Sequence, residues 1–234
     1  MAAKVYLDTN VYKFSATRLP RLRVEMREVN WGGRRQVLPL HVPVILDPNE
    51  RIDETSVLRA ELDLLPEVAG LAQRGLATFL ISFETQVELS GIPNLDSQTG
   101  YFYGAPHTTV QPPVCYSRIL YGGPEDPLEA QYRFLKALDH DRFLELRRIC
   151  GAQQGKEVNR NQLLDAFHLW CAEYHDCEYC LSLDFKLARM TANARKKPRC
   201  RGGKHCGGRP SSHLRYWPRV IGPRAYSRLT PISA

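Results

Sequence analysis

The chain has 234 residues, 43% hydrophobic and 24% charged, with 16 Gly and 16 Pro. That is enough apolar material for one domain or two small ones, and it excludes a disordered or collagen-like chain. Thirty-two Lys and Arg against 25 Asp and Glu give a net charge of +7, but residues 191–234 hold 11 of the basic residues and no acid, so residues 1–190 carry 21 basic against 25 acidic, a net −4. A basic extension on an acidic body predicts attraction to a polyanion, nucleic acid first and an anionic membrane surface second, weakened by salt.

No window approaches the roughly 20 apolar residues that span a bilayer, and the opening MAAKVYLDTN lacks the apolar core of a signal peptide, so a soluble, cytoplasmic protein without a membrane partner is expected. The seven cysteines are odd in number and irregular in spacing, which favours reduced thiols over a disulfide framework.

In chain order, Lys4 to Leu7 reads as a short buried strand running into a polar turn at Asp8, Thr9 and Asn10. Residues 21–46 alternate twice around Asn30, Trp31, Gly32 and Gly33, which predicts a β-hairpin. Asp53 and Thr55 are placed to cap a helix through Leu58, Leu62 and Leu65, which Pro66 breaks and restarts as a shorter helix ending at Gly75. Ala77 to Ser82 is a second buried strand, followed by a helix over 83–90. Residues 94–123, rich in Gly, Pro and Tyr and without a period, read as a long ordered loop.

From Pro124 to Cys150 the apolar spacing is helical, with a break near residues 139–141. Asn161 to Tyr174 is a helix apolar on nearly all sides, and Tyr179 to Leu183 is a third short buried strand ending at Asp184. Strands separated by helices predict an α/β domain with a mostly parallel sheet, and such sheets bind ligands beyond the carboxyl ends of their strands.

Four acids occupy those ends or the first turns after them: Asp8, Glu88, Asp165 and Asp184. Glu84, one turn before Glu88, competes for its place. Asp165 sits between Leu164 and Ala166, where an ionised carboxylate loses hydration and needs a partner or a cation. Converging acids repel one another, and a hard divalent cation such as Mg²⁺ or Mn²⁺ relieves that repulsion through oxygen ligands.

KVYLDTNV resembles the opening of the PIN-domain (VapC-like) metal-dependent ribonucleases, in which an Asp ends the first strand and an Asn follows two places on. ISFETQVEL resembles that family's second motif, a strand-closing Ser followed by Glu-Leu, which selects Glu88 over Glu84. NQLLDAFHLWCAEYHDCEYCLSLDF resembles its last segment, an Asp on an apolar helix and then a strand ending in Ser, one residue and Asp. The likeness covers roughly 90 residues, and motif order and spacing carry it.

It implies a three-layer sandwich around a mostly parallel sheet over residues 1–190, into which this chain places insertions at about 15–60 and 92–123, the first an inserted β-hairpin, and to which it adds a basic C-terminal extension over 191–234. It also implies Asp8, Glu88, Asp165 and Asp184 as metal-binding acids for Mg²⁺ or Mn²⁺, with Asn10 and Ser182 supporting them. The activity implied is endoribonuclease hydrolysis leaving a 5′-phosphate and a 3′-hydroxyl, RNA being favoured over DNA. Toxin VapC-like members lack the hairpin and a tail of this length. An inhibitor or antitoxin partner therefore gains no support, while a homodimer is allowed.

Lys156, Arg160, Lys186 and Arg189 flank the last two acids and are candidate phosphate contacts. His168, three residues after Asp165, reads as a hydrogen-bonded core histidine outside the site. Cys177, Cys180, Cys200 and Cys206, with His175, His205 and His213, have the look of a zinc arrangement, but Cys180 falls inside a predicted strand, where a thiol points into the core. Tyr216, Trp217 and Tyr226 among the arginines of the extension suit base stacking. The competing expectation is a non-catalytic nucleic-acid binder that acts through this extension, with or without zinc.

Overall fold

The computed structural model describes residues 2–90, 99–116, 126–152, 158–196 and 219–225. Strand β1 (Ala3–Leu7) buries Val5, Tyr6 and Leu7 in succession, and burial on both faces belongs to a strand in the middle of a parallel sheet. Helix α1 (Thr9–Ser15) follows at once, with Asp8 in the extended conformation just before it.

β2 (Ala16–Trp31) and β3 (Arg34–Leu46) form the expected hairpin, in register from Leu19↔Leu46 to Trp31↔Arg34. Gly32 and Gly33 turn it at φ +59° and +76°, the pair of positive values that a two-residue hairpin turn requires and that glycine adopts without strain. Leu22, Val24 and Met26 are exposed, so this ribbon is outside the core.

In α2 (Val57–Leu62) the cap differs from expectation. Ser56 Oγ accepts the Arg59 N–H at 3.1 Å, whereas Asp53 closes a turn on itself, its Oδ1 accepting both the N–H and the hydroxyl of Thr55 at 2.8 Å. A short acidic side chain bonds locally two residues on before it can reach a helix that starts four residues on. Pro66 lies in the first turn of α3 (Leu65–Gln73), where its missing N–H leaves no bond unmade.

β4 (Ala77–Ser82) and α4 (Phe83–Ser90) follow the sequence pattern. The expected long ordered loop carries two short strands: β5 (Thr99–Gly100) pairs with β2, and β6 (His107–Val110) pairs in parallel with β4. Both are short, and β6 is largely exposed, so the neighbouring backbone defines them rather than any apolar pattern of their own.

α5 (Pro127–Ala137) and α6 (Asp141–Ile149) flank the anticipated break. α7 (Arg160–Tyr174) is buried on most of its surface. β7 (Tyr179–Leu181) ends two residues before the expected limit, because Ser182 and Leu183 turn toward the next helix, α8 (Phe185–Lys196). β8 (Arg219–Ile221) pairs in parallel with β7, so the basic C-terminal segment contributes an edge strand to the body.

The main sheet has the order β6-β4-β1-β7-β8, every pair parallel, and a second sheet has the order β3-β2-β5. Alternation along the strands sends Tyr6, Leu80 and Cys180 to one face, against Leu135, Phe143, Phe167 and Trp170 of α5, α6 and α7. Val5, Leu7, Phe79 and Ile81 go to the other, against Val11, Leu62, Leu65 and Val68 of α1, α2 and α3. The result is an α/β architecture, a five-stranded parallel sheet between two helical layers. Among the described residues, no helix is long and apolar enough to cross a membrane.

Candidate metal centre

β1 lies between β4 and β7, so the residues leaving these three strands emerge side by side at the carboxyl edge of the sheet. Asp8 leaves β1 and is buried, at 6% exposure. Ser182, just past β7, donates its hydroxyl to Asp8 Oδ2 at 2.7 Å. The same Ser182 Oγ accepts from Asn10 Nδ2 at 3.1 Å and from the Asp184 N–H at 3.0 Å, while Asn10 Oδ1 accepts the Leu183 N–H at 3.0 Å. Asn10 and Ser182 thus lock the two turns together and fix the Asp8 carboxylate.

Asp184 turns Oδ1 toward the start of α8, where it accepts the N–H groups of Lys186 at 2.7 Å and Leu187 at 3.0 Å. Its other carboxylate oxygen takes no part in those bonds. This is an N-cap, and it holds the acid at the mouth of the site.

Asp165, half-buried on α7, has neither a hydrogen-bond nor an ion-pair partner among the described residues. Burial, then the negative charges of Asp8, Asp184 and Glu88, push it up to about 7, with His168 pulling the other way. Asp8 is raised as well, by burial and by Glu88, against the lowering pull of His168 and of the Ser182 hydrogen bond. The four acids found in the sequence therefore act on one another across the carboxyl edge, although 176 residues separate the first from the last in the chain.

Glu88 and Glu84 part company in the structure. Glu84 is fully buried, its Oε2 accepting from Gln131 Nε2 at 2.7 Å, whereas Glu88 lies with the aspartates and its Oε1 is 2.6 Å from His168 Nε2. His168 is a buried histidine, as expected, but it does not stand apart from the site. Burial works against its charge, while Glu88 by charge and hydrogen bond, with Asp8 and Asp165, raises it to about 9. The reading of His168 as a core residue missed this because its partner lies 80 positions earlier on a different helix. A polar group at the i+3 position from a site acid was the available signal.

The donor chemistry and charge of Asp8, Asp165 and Asp184 fit a hard divalent cation: all-oxygen ligands, one of them unpartnered, and mutual repulsion that an ion would relieve. In the described conformation no three His, Cys, Asp or Glu side chains among the described residues are arranged to hold a metal ion, with Glu88 drawn to His168 and Asp184 to its helix.

Of the candidate phosphate contacts, Lys186 and Arg189 are exposed on α8 beside Asp184. Arg160 is half-buried, and its Nη2 donates to Gln131 Oε1 at 3.0 Å, joining it through Gln131 to the buried Glu84. Lys156 lies outside the described residues, as do Cys200, Cys206, His205, His213, Tyr216, Trp217 and Tyr226. Cys177 and Cys180 are buried in the core with thiols raised by burial, which keeps them protonated. The chain matches no family model, no curated protein and no solved structure.

Proposed function

We propose that the chain is a metal-dependent nuclease, in the first place an endoribonuclease acting in the cytoplasm, as its resemblance to PIN-domain ribonucleases implies. The observation that carries the reading is Asp165. It is a carboxylate with no hydrogen-bond or ion-pair partner among the described residues, pushed up to about 7 by burial and by three other acids at the carboxyl edge of a parallel sheet. An arrangement that raises its own electrostatic energy makes sense if a cation completes it.

When bound, Mg²⁺ or Mn²⁺ supplies an activated water and offsets the charge that builds on the phosphoryl oxygens. The residues of the chain do the rest. Ser182 and Asn10 hold Asp8 in place, the α8 N-terminus holds Asp184, and Asp165 faces them from α7. Glu88 completes or positions the set. Lys186 and Arg189 are exposed where a phosphate backbone would pass, and the basic C-terminal segment supplies the long-range attraction for nucleic acid. The resemblance implies products with a 5′-phosphate and a 3′-hydroxyl.

The test is cleavage of an end-labelled RNA in Mg²⁺ by the full chain, by Asp8→Asn and by Asp165→Asn, with an EDTA control. Both variants should lose at least about 100-fold in rate while keeping the far-ultraviolet circular dichroism of the parent. Undiminished cleavage by both would remove the mechanism.

A further inference from the structure

The β2–β3 ribbon divides its side chains between two unlike faces. Residues opposite each other in an antiparallel pair point the same way, and successive residues alternate. The register Arg21↔Val44, Arg23↔Val42 and Arg27↔Leu38 therefore sends these arginines to one face, where the three apolar residues opposite them are half-buried. The other face takes Leu22, Val24 and Met26 from β2 and Val37 and Ile45 from β3, all five 55–67% exposed. Pro39, His41 and Pro43 fill the places between Val37 and Ile45. The formal charges on this face are Glu28 and Arg35 near the turn, and they pair with each other at 3.9 Å.

Such a face is large for one molecule to leave in water. Two strands paired alone are marginally stable, and a further layer over the apolar side is what makes a ribbon persist. From the size of its side chains, the face exposes on the order of 700 Å², above the few hundred Å² usual for one apolar patch and close to the roughly 800 Å² that each partner gives to a stable interface.

The chemistry of the face also selects its occupant. Nucleic acid or an anionic membrane calls for free cations at the contact, whereas Arg35 is paired with Glu28 and the β2 arginines point away. Addition of a strand along the edge is opposed by Pro20, Pro39 and Pro43, which keep an unbroken register only if their missing N–H groups would have faced outward. Face-to-face packing against another apolar, uncharged sheet surface remains. The same ribbon of a second copy supplies that surface through a twofold axis.

We infer that two copies of the chain pack their β2–β3 ribbons face to face through Leu22, Val24, Met26, Val37 and Ile45, forming a dimer whose arginine faces point outward. The inference stands on the ribbon and is independent of the metal-centre reading.

Sedimentation equilibrium of the full chain at about 20 μM should give twice the chain mass of 26.7 kDa. The variant Val24→Lys, Met26→Lys sets two like charges in each half of the interface. It should raise the dimer dissociation constant at least about 100-fold, with the far-ultraviolet circular dichroism unchanged because the ribbon is outside the core. Arg21→Ser, on the opposite face, should leave the constant within about threefold of the parent.

A monomeric parent, or a dimer that the two lysines leave intact, overturns the proposal. Should the lysine variant fail to fold, the near-isosteric Val24→Thr, Met26→Gln takes its place and should weaken the dimer at least about tenfold, and an unchanged constant overturns the proposal. A monomeric parent that binds phosphatidylserine vesicles or a single-stranded RNA, and loses that binding with Val24→Thr, Met26→Gln, would overturn it in favour of lipid or nucleic acid.

Discussion

Ser182 gives its hydroxyl proton to Asp8 across 174 residues of chain, at 2.7 Å, and so joins the carboxyl end of β7 to that of β1. Ser182 Oγ also receives Asn10 Nδ2 and the Asp184 N–H, so one hydroxyl holds three residues of the site. Ser182→Ala leaves those groups without it in a buried setting. It should lower stability by about 1–3 kcal/mol, a fall of roughly 2–10 °C in Tm. It should also weaken Mn²⁺ binding, because Asp8 loses its fixed orientation, whereas Ser182→Thr should recover most of both. Thermal melts and calorimetry of the three proteins check this, and an unchanged Ser182→Ala protein would refute it.

The acid cluster makes metal-free stability depend on pH in a definite direction. Asp165 titrates at about 7 in the folded chain, above its ordinary value, so the folded state holds its proton longer than the unfolded one. Its contribution is fully present below about pH 4 and is lost as the pH rises through 7. His168, raised to about 9, contributes below about pH 6.5, and that contribution is lost as the pH rises through 9. Denaturant unfolding in EDTA should therefore show stability falling between pH 5 and 9, by on the order of 2–4 kcal/mol. Adding Mn²⁺ at pH 8 should restore part of it. A flat or rising profile would contradict the coupling among these groups.

The same coupling means that Asp165→Asn should stabilise the metal-free chain while disabling the site. Removing a charge pressed by three other acids should raise Tm in EDTA at pH 8 by a few degrees, about 1–2 kcal/mol. Differential scanning calorimetry at that pH is the measurement. A lower Tm would show that Asp165 has a structural role outside the acid cluster.

Away from the site, Arg142 on α6 forks onto Glu173 on α7, with Nε to Oε2 at 2.7 Å and Nη2 to Oε1 at 2.8 Å, both side chains largely buried. Arg142→Ala strands the carboxylate of Glu173 and should cost about 2–4 kcal/mol, while Arg142→Lys, which cannot reproduce the fork, should recover less than half of that. Urea unfolding of the two variants would show whether Arg142→Lys falls nearer the parent, which would argue against a bidentate pair.

Gly100 offers a backbone test of how β5 is held. A Cβ there would collide with the Ser15 carbonyl oxygen and lie 2.8 Å from Ala16 Cα, atoms of the main chain that cannot step aside. Gly100→Ala should detach β5 from β2 and cost about 1–3 kcal/mol, visible as faster amide exchange at Tyr101, whose N–H is bonded to Ser15 O. Unaltered protection at Tyr101 would refute the close approach.

Sequence alone determined which segments are buried strands and which acids follow them. Val5, Tyr6 and Leu7 before Asp8, or Ala77 to Ser82 before α4, are local patterns of burial that end at a polar turn. The hairpin was legible for the same reason, since alternation and a Gly-Gly turn lie within neighbouring residues. The β5, β6 and β8 strands were not legible, because each is a few residues long and exists by virtue of the backbone it pairs with.

Only the tertiary structure decided which groups meet. Glu84 and Glu88 are one helical turn apart and chemically alike, yet one is sealed against Gln131 and the other is paired with His168. His168 became part of the site because α7 packs across β1 and places the ring between Tyr6 and Glu88. Spacing along a chain reports how often a residue type faces one direction. Charge and hydrogen bonding depend on distance through space, which the packing of helices on the sheet sets.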